Sequence, residues 1–287
     1  MNQTLVLAVN SITLGGLLFL LSAGFSLIFG LMRIPNLTHG SLFMLGAYLG
    51  STFVLTYGLD FWVAAILSAV LVAVFGGLIE RLLLGRLAGN ALAQVLVTLG
   101  LAFMIADVCL MVWTGDPITV PTPPGFAFAI RGPGFIVPAY RLAIILIAVV
   151  IAAALWLLLE RTRLGAMIRA GVDDPEMARV VGIPVSRLFT IVFALGAGLA
   201  GFAGMIGTPI LSVYPGLDQD MLPLALVVVI LGGTGSLLGS FVGSIIIGII
   251  YNFGQALVPE LAYFVLFLPM LLVLILRPQG LFGRHVP

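Results

Sequence analysis

Nine mainly apolar stretches follow one another along this chain, and most match the run of about twenty residues that a helix needs to cross the hydrocarbon layer of a membrane. They extend approximately over Leu5–Leu31, His39–Tyr57, Phe61–Leu84, Ala91–Trp113, Leu142–Leu159, Leu188–Leu211, Met221–Gly233, Leu237–Val258 and Leu261–Leu276. The seventh is short for an ordinary crossing. Between the runs charge is scarce: 8% of residues are charged, against about 25% in a soluble domain. A soluble fold of this length needs a polar shell that so few charges cannot supply. The expected fold is therefore all-α, a polytopic bundle of about nine crossing segments, some broken or short, forming a single transmembrane domain over residues 1–287. No basic residue precedes Leu5 and its run exceeds a signal-peptide core, so the first segment is expected to stay as a span.

Arginine sets the orientation, since cytoplasmic loops collect positive charge and every basic residue here is Arg. Nine crossings with the N-terminus outside put Arg33, Arg81, Arg86, Arg161, Arg163, Arg169, Arg179, Arg187, Arg277 and Arg284 on the cytoplasmic side, leaving Arg131 and Arg141 outside. An even number of spans would break that bias in one half of the chain.

Several function classes are disfavoured by composition. A net charge of +1 gives no reason to expect nucleic acid. Cys109 is the one cysteine, so neither an intramolecular disulfide nor a cysteine metal site is available. The histidines are His39 and His285; there is no Gly-x-Ser-x-Gly elbow and no P-loop, so no catalytic residue, metal site or bound cofactor is expected on this chain. Asp107 is the clear ionisable residue within a run, about two turns from its outer end, where an interfacial role suits it at least as well as a substrate role.

Two segments are not spans. Residues 114–140 are rich in Pro and Gly, which favours turns and suggests an extracytoplasmic loop, either a docking surface for a delivery protein or a passive connector. Residues 161–187 form a charged cytoplasmic loop. Within it Asp174 can cap a helix with Pro175 at its first position, and Gly182 with Pro184 can stop it, predicting two turns over Pro175–Val181. Met177, Val180 and Val181 then share a face that so small an element cannot bury against itself. That face either meets a partner protein or folds back on the span ends.

Two glycine clusters interrupt the apolar runs: Asn36 with His39, Gly40 and Ser41, and Gly232, Gly233, Thr234, Gly235 and Ser236. Each leads into a Gly-Ser-Leu sequence followed by spaced glycines, a weak internal repeat. Paired helix breaks in two halves of a transporter point to a translocation pathway, because freed backbone groups must face protein or water. These nine residues are the candidate pathway. The plainer reading of Asn36 and His39 is that they satisfy backbone groups freed by Pro35.

The run Gly30-Leu31-Met32-Arg33-Ile34-Pro35-Asn36-Leu37-Thr38-His39-Gly40-Ser41 resembles the early signature of LivH-like branched-chain amino acid permeases. Arg161–Gly165 through Met177–Ile183 is similar to their ATPase-contacting loop, and Leu231–Ser236 and Arg277–Gly283 resemble later landmarks, in order over nearly the whole chain. The resemblance implies a permease subunit of an ATP-binding-cassette importer in a bacterial inner membrane. Its implied partners are a second, LivM-like permease, two cytoplasmic ATPases that carry ATP and Mg, and a periplasmic or extracellular substrate-binding protein. It also implies an ATPase-coupling segment formed by Asp173, Asp174, Pro175, Glu176, Met177, Ala178, Arg179, Val180, Val181 and Gly182. The loop after Arg81 lacks the Tyr-Arg-Pro pattern of many relatives, so urea, short amides or another small metabolite stay open as cargo. An ATP-independent channel or carrier is the rival from another class.

Overall fold

Helix α1 (Gln3–Met32) is apolar all round, and a helix of that kind has to be enclosed by protein. In the computed structural model, which describes residues 3–32, 36–132, 135–277 and 279–283, it is the central rod, with its middle turns buried from Leu17 to Ile28. Around it lie α2 (His39–Leu55), α3 (Phe61–Leu82), α4 (Ala91–Trp113), α5 (Ala139–Arg161), α6 (Arg163–Asp173), α7 (Pro175–Val180), α8 (Val185–Gly207), α9 (Leu217–Gly232), α10 (Leu237–Leu257) and α11 (Ala262–Leu276). Asp60 caps α3, Asn90 caps α4 and Ser236 caps α10, each accepting backbone N–H groups that a helix start leaves unpaired.

All nine apolar runs are helical, and the chain is a polytopic membrane bundle. Six helices carry a full-length apolar window, α1, α3, α4, α5, α8 and α10. The expected count of nine crossings thus depends on three shorter helices, α2, α9 and α11, and is not fixed by helix length.

The packing has an internal two-fold character. α1 packs on α10 as α8 packs on α3; α2 meets α3 and α4 as α9 meets α10 and α11; α1 meets α8, and α2 meets α9, at the centre. Both long pairs are antiparallel. Gly15 of α1 approaches the Ser244–Ile245 backbone of α10 and Gly30 approaches Gly235, while Gly201 of α8 packs on Val72 of α3 and Gly76 of α3 on Ala197 of α8. Glycine serves these seams because only a missing side chain lets two helix backbones come so close. The correspondence therefore pairs α1–α4 with α8–α11. It matches α2 with α9, whereas the Gly-Ser-Leu similarity in the sequence pairs the start of α2 with the start of α10. The sequence resemblance followed local glycine spacing, and the real register is set by helix packing.

The two ends of the bundle differ. At one end, between α4 and α5, strands β1 (Ala129–Gly132) and β2 (Phe135–Pro138) form an antiparallel hairpin, and Ile118 bridges to Val213. Residues 114–140 thus contain strand as well as turns. At the other end, α6 and α7 follow α5. Of the residues used above for orientation and for the helix break, Arg33, Pro35 and Arg284 lie outside the described residues, as does His285.

Candidate functional site

Helix α2 does not start at the level of its neighbours. Thr38 Oγ1 donates to the Thr98 carbonyl at 2.9 Å and Ser41 Oγ lies 3.4 Å from that of Ala102, the central residue of α4; towards the hairpin end, Trp113 Nε1 donates to Thr52 Oγ1 at 2.6 Å. α2 and α4 are therefore parallel, and α2 begins near the mid-depth of α4. His39, buried, sits against the middle of α1, its Nε2 2.9 Å from the Leu21 carbonyl. Asn36 Oδ1 accepts from Thr38 N at 3.1 Å, closing the turn that leads into α2. α2 therefore starts well inside the bundle, not at the level where α1 ends.

The first turn of α9 meets α2 at this depth. A side chain on Gly40 would stand 2.7 Å from the Asp218 carbonyl oxygen and 2.9 Å from Leu222 Cβ, so Gly is required for the approach. Ser41 Oγ donates to Asp218 Oδ2 at 2.9 Å. Two helix N-termini, with their partial positive charge, thus converge on one carboxylate in the middle of the bundle. Asp218 is only 7% exposed, and its Oδ1 has no hydrogen-bond partner among the described residues. The neighbouring Gln219 and Asp220 are exposed. Asp220 accepts from Tyr214. Pro223 has no N–H to offer the Gln219 carbonyl one turn earlier, leaving a further acceptor at the same level. Polar groups at this depth must face protein or a water-filled cavity, because lipid leaves them unsolvated.

Of the candidate pathway residues, Asn36, His39, Gly40 and Ser41 belong to this meeting point. Gly232, Gly233, Thr234, Gly235 and Ser236 do not. They form the turn between α9 and α10 at the α6–α7 end, where Leu281 N donates to the Leu231 carbonyl at 2.9 Å and Phe282 N to that of Gly232 at 3.0 Å. Gly233 (φ 98°) and Gly280 (φ 81°) make that crossing by direct backbone packing. Thr234 and Gly235 are exposed, and Ser236 accepts from Gly239 N. This second cluster clamps the C-terminal segment beside the end of α1, where Gly30 packs on Gly235.

The α6–α7 end carries the other candidate. Thr162 caps α6, and Arg169 donates to the Leu159 carbonyl at the end of α5 while lying 3.5 Å from Glu160, which pins α6 under α5. Asp174 Oδ1 accepts from Glu176 N at 3.0 Å and Met177 N at 2.9 Å, and Pro175 occupies the first position of α7. The helix ends at Val180, one residue earlier than expected, with Val181 as its C-cap. Gly182 (φ 87°) then takes the left-handed conformation, and Ile183 N donates back to the Ala178 carbonyl at 2.9 Å. Ala178 is 3% exposed and faces the bundle, whereas Met177, Val180 and Val181 are 57%, 79% and 67% exposed. Asp173, Asp174, Glu176 and Arg179 are exposed around them.

Sequence reasoning missed three buried groups. Asp218, with Gln219 and Asp220, lies just ahead of the apolar run that begins at Met221; Gly216 followed by acidic residues is the available signal of a helix start. Glu80, buried in α3, accepts from Thr190 of α8 at 2.5 Å. Tyr48, fully buried, stacks on Trp113 with ring centroids 5.0 Å apart. Asp107 is exposed on α4. No group of three or more metal-ligating side chains occurs among the described residues.

Residues 7–274 match the family model described as branched-chain amino acid transport system / permease component. The chain belongs to this family. It is 28% identical over 290 residues to the high-affinity branched-chain amino acid transport system permease protein BraD of Pseudomonas aeruginosa, covering 96% of this chain and 94% of that one. It is 25% identical over 291 residues to LivH of Escherichia coli K12, with the same coverage. A ribose import permease protein, RbsC of Haemophilus influenzae, is 32% identical over 187 residues, 59% of this chain and 56% of its own. No solved structure matches. The chain is thus a multi-pass membrane permease subunit of an importer, and not an enzyme.

Proposed function

We propose that this chain moves branched-chain or related amino acids into the cytoplasm by alternating access, as one of two permeases driven by separate ATPases. The observation that carries the reading is the exposed face of α7: a capped, rigidly seated helix that turns Ala178 to the bundle and presents Met177, Val180 and Val181 outward. An apolar face of this kind, ringed by Asp173, Asp174, Glu176 and Arg179, suits a groove on another protein. Docked in an ATPase, α7 transmits nucleotide-driven closure through α6 and α8 to the spans.

The α6–α7 end is then cytoplasmic, the N-terminus outside and the C-terminus inside. The hairpin end faces outward and receives a substrate-binding protein. The second permease is LivM-like, and ATP and Mg stay on the two ATPases. The single domain spans residues 1–287, with 114–140 outside and 161–187 as the coupling loop. The pathway runs between the two permeases, past the polar face at the start of α9. The BraD and LivH relatives support cargo of the amino-acid class; the shorter likeness to a ribose permease supports a sugar as the alternative.

The test is uptake into proteoliposomes holding the complete complex, its binding protein outside and ATP on the ATPase side. Labelled leucine is expected to accumulate only with hydrolysable ATP. Accumulation without nucleotide would refute the motor, and uptake of ribose but not leucine would refute the substrate class.

A further inference from the structure

The meeting point of α2 and α9 holds acceptors that nothing in the described structure fills. Asp218 Oδ2 is engaged by Ser41, but Oδ1 has no donor. No described arginine pairs with Asp218. The hydroxyl of Tyr48, two turns beyond Ser41 on the same face of α2, is also fully buried and without a partner. The Gln219 carbonyl, released by Pro223, is a further acceptor one residue along α9. A carboxylate oxygen left without a donor this far into a bundle is costly even beside two helix N-termini, and a cationic group with N–H donors offsets that cost best.

We propose that Asp218, with Tyr48 and the Gln219 carbonyl at the start of α9, receives the ammonium group of the amino-acid cargo at mid-membrane. The inference rests on the transport reading above and deepens it by naming the group recognised. A primary ammonium has three donors, enough for Asp218 Oδ1, the Tyr48 oxygen and the Gln219 carbonyl. Specificity for amino acids over sugars then resides partly in this chain.

The experiment measures thermal stabilisation of the purified, detergent-solubilised complex by three probes. These are leucine, 3-methylbutylamine (ammonium but no carboxylate) and 4-methylpentanoate (carboxylate but no ammonium), with sodium chloride as the inorganic cation control. Leucine and the amine are expected to raise the melting temperature and 4-methylpentanoate not to. Asp218→Asn abolishes the shift, Tyr48→Phe weakens amine affinity about three- to ten-fold, and Asp107→Asn, on the exposed side of α4, leaves it unchanged. If Asp218→Asn does not assemble, Tyr48→Phe decides, since the ring and its stacking on Trp113 are kept. An unchanged amine shift in the variants, a shift with 4-methylpentanoate alone, or an Asp218-dependent shift produced by sodium would overturn the proposal. Failure of leucine uptake by wild type would instead strike the transport reading and leave an Asp218-dependent amine shift standing.

Discussion

Replacing Val180 by Asp tests the mechanical role of α7 most directly. Burying a Val or Met side chain fully stabilises by about 1.5–3 kcal/mol. Scaled by the exposed fractions of Met177, Val180 and Val181, 57%, 79% and 67%, docking contributes about 1–2 kcal/mol per residue and about 3–6 kcal/mol for the face. Val180→Asp forfeits its share and forces a carboxylate against an apolar groove, adding about 1–3 kcal/mol. The sum, about 3 kcal/mol, corresponds to roughly 100-fold weaker ATPase association. Val180→Ala keeps the groove dry and should cost about 1 kcal/mol, roughly five-fold. Because Val180 points away from the bundle, neither variant should move the melting temperature of the isolated permease. The assay is retention of the ATPase on affinity-tagged permease, titrated with ATPase and paired with a thermal melt. Full ATPase association by Val180→Asp, with an unchanged melt, would refute the docking of this face.

Other outcomes follow from single contacts. Asp174→Ala removes the acceptor for two N–H groups of α7, costing about 1 kcal/mol, and should lower transport several-fold with the bundle melt unchanged. Gly182→Ala forces a left-handed residue to carry a side chain at a cost of about 1 kcal/mol and should mimic it, read by the same uptake assay. Thr190→Val leaves the buried Glu80 carboxyl without its donor, a loss of about 1.5–3 kcal/mol that should appear as a lower melting temperature, with Glu80→Gln less affected. Gly46→Leu drives a side chain into the Gly201 backbone where α2 crosses α8 and should abolish folded, detergent-stable protein, judged by size-exclusion profile.

The features readable from the sequence were local ones. Each of the nine apolar runs became a helix, because a segment in lipid has to satisfy its own backbone hydrogen bonds and run length reports that directly. The α7 stub was readable for a similar reason: Asp174, Pro175 and Gly182 act within a turn of one another, and the outward face of Met177, Val180 and Val181 follows from helical spacing alone. α6 escaped notice because Gly165 and Gly171 blur its pattern, and its seat depends on Arg169 reaching back to the end of α5.

What only the tertiary structure decided is where separate segments stop and meet. The sequence marks helix breaks near Asn36 and near Gly233, yet it cannot say that the first lies deep in the bundle and the second at its α6–α7 end. Depth is set by packing of α2 on α4 and α9, through Thr98, Ala102 and Asp218, residues far apart in the chain. A carboxylate just ahead of an apolar run reads as a solvated loop until a partner helix closes over it. For Asp218 that partner is α2, and the contact is possible because Gly40 has no side chain to hold the two backbones apart.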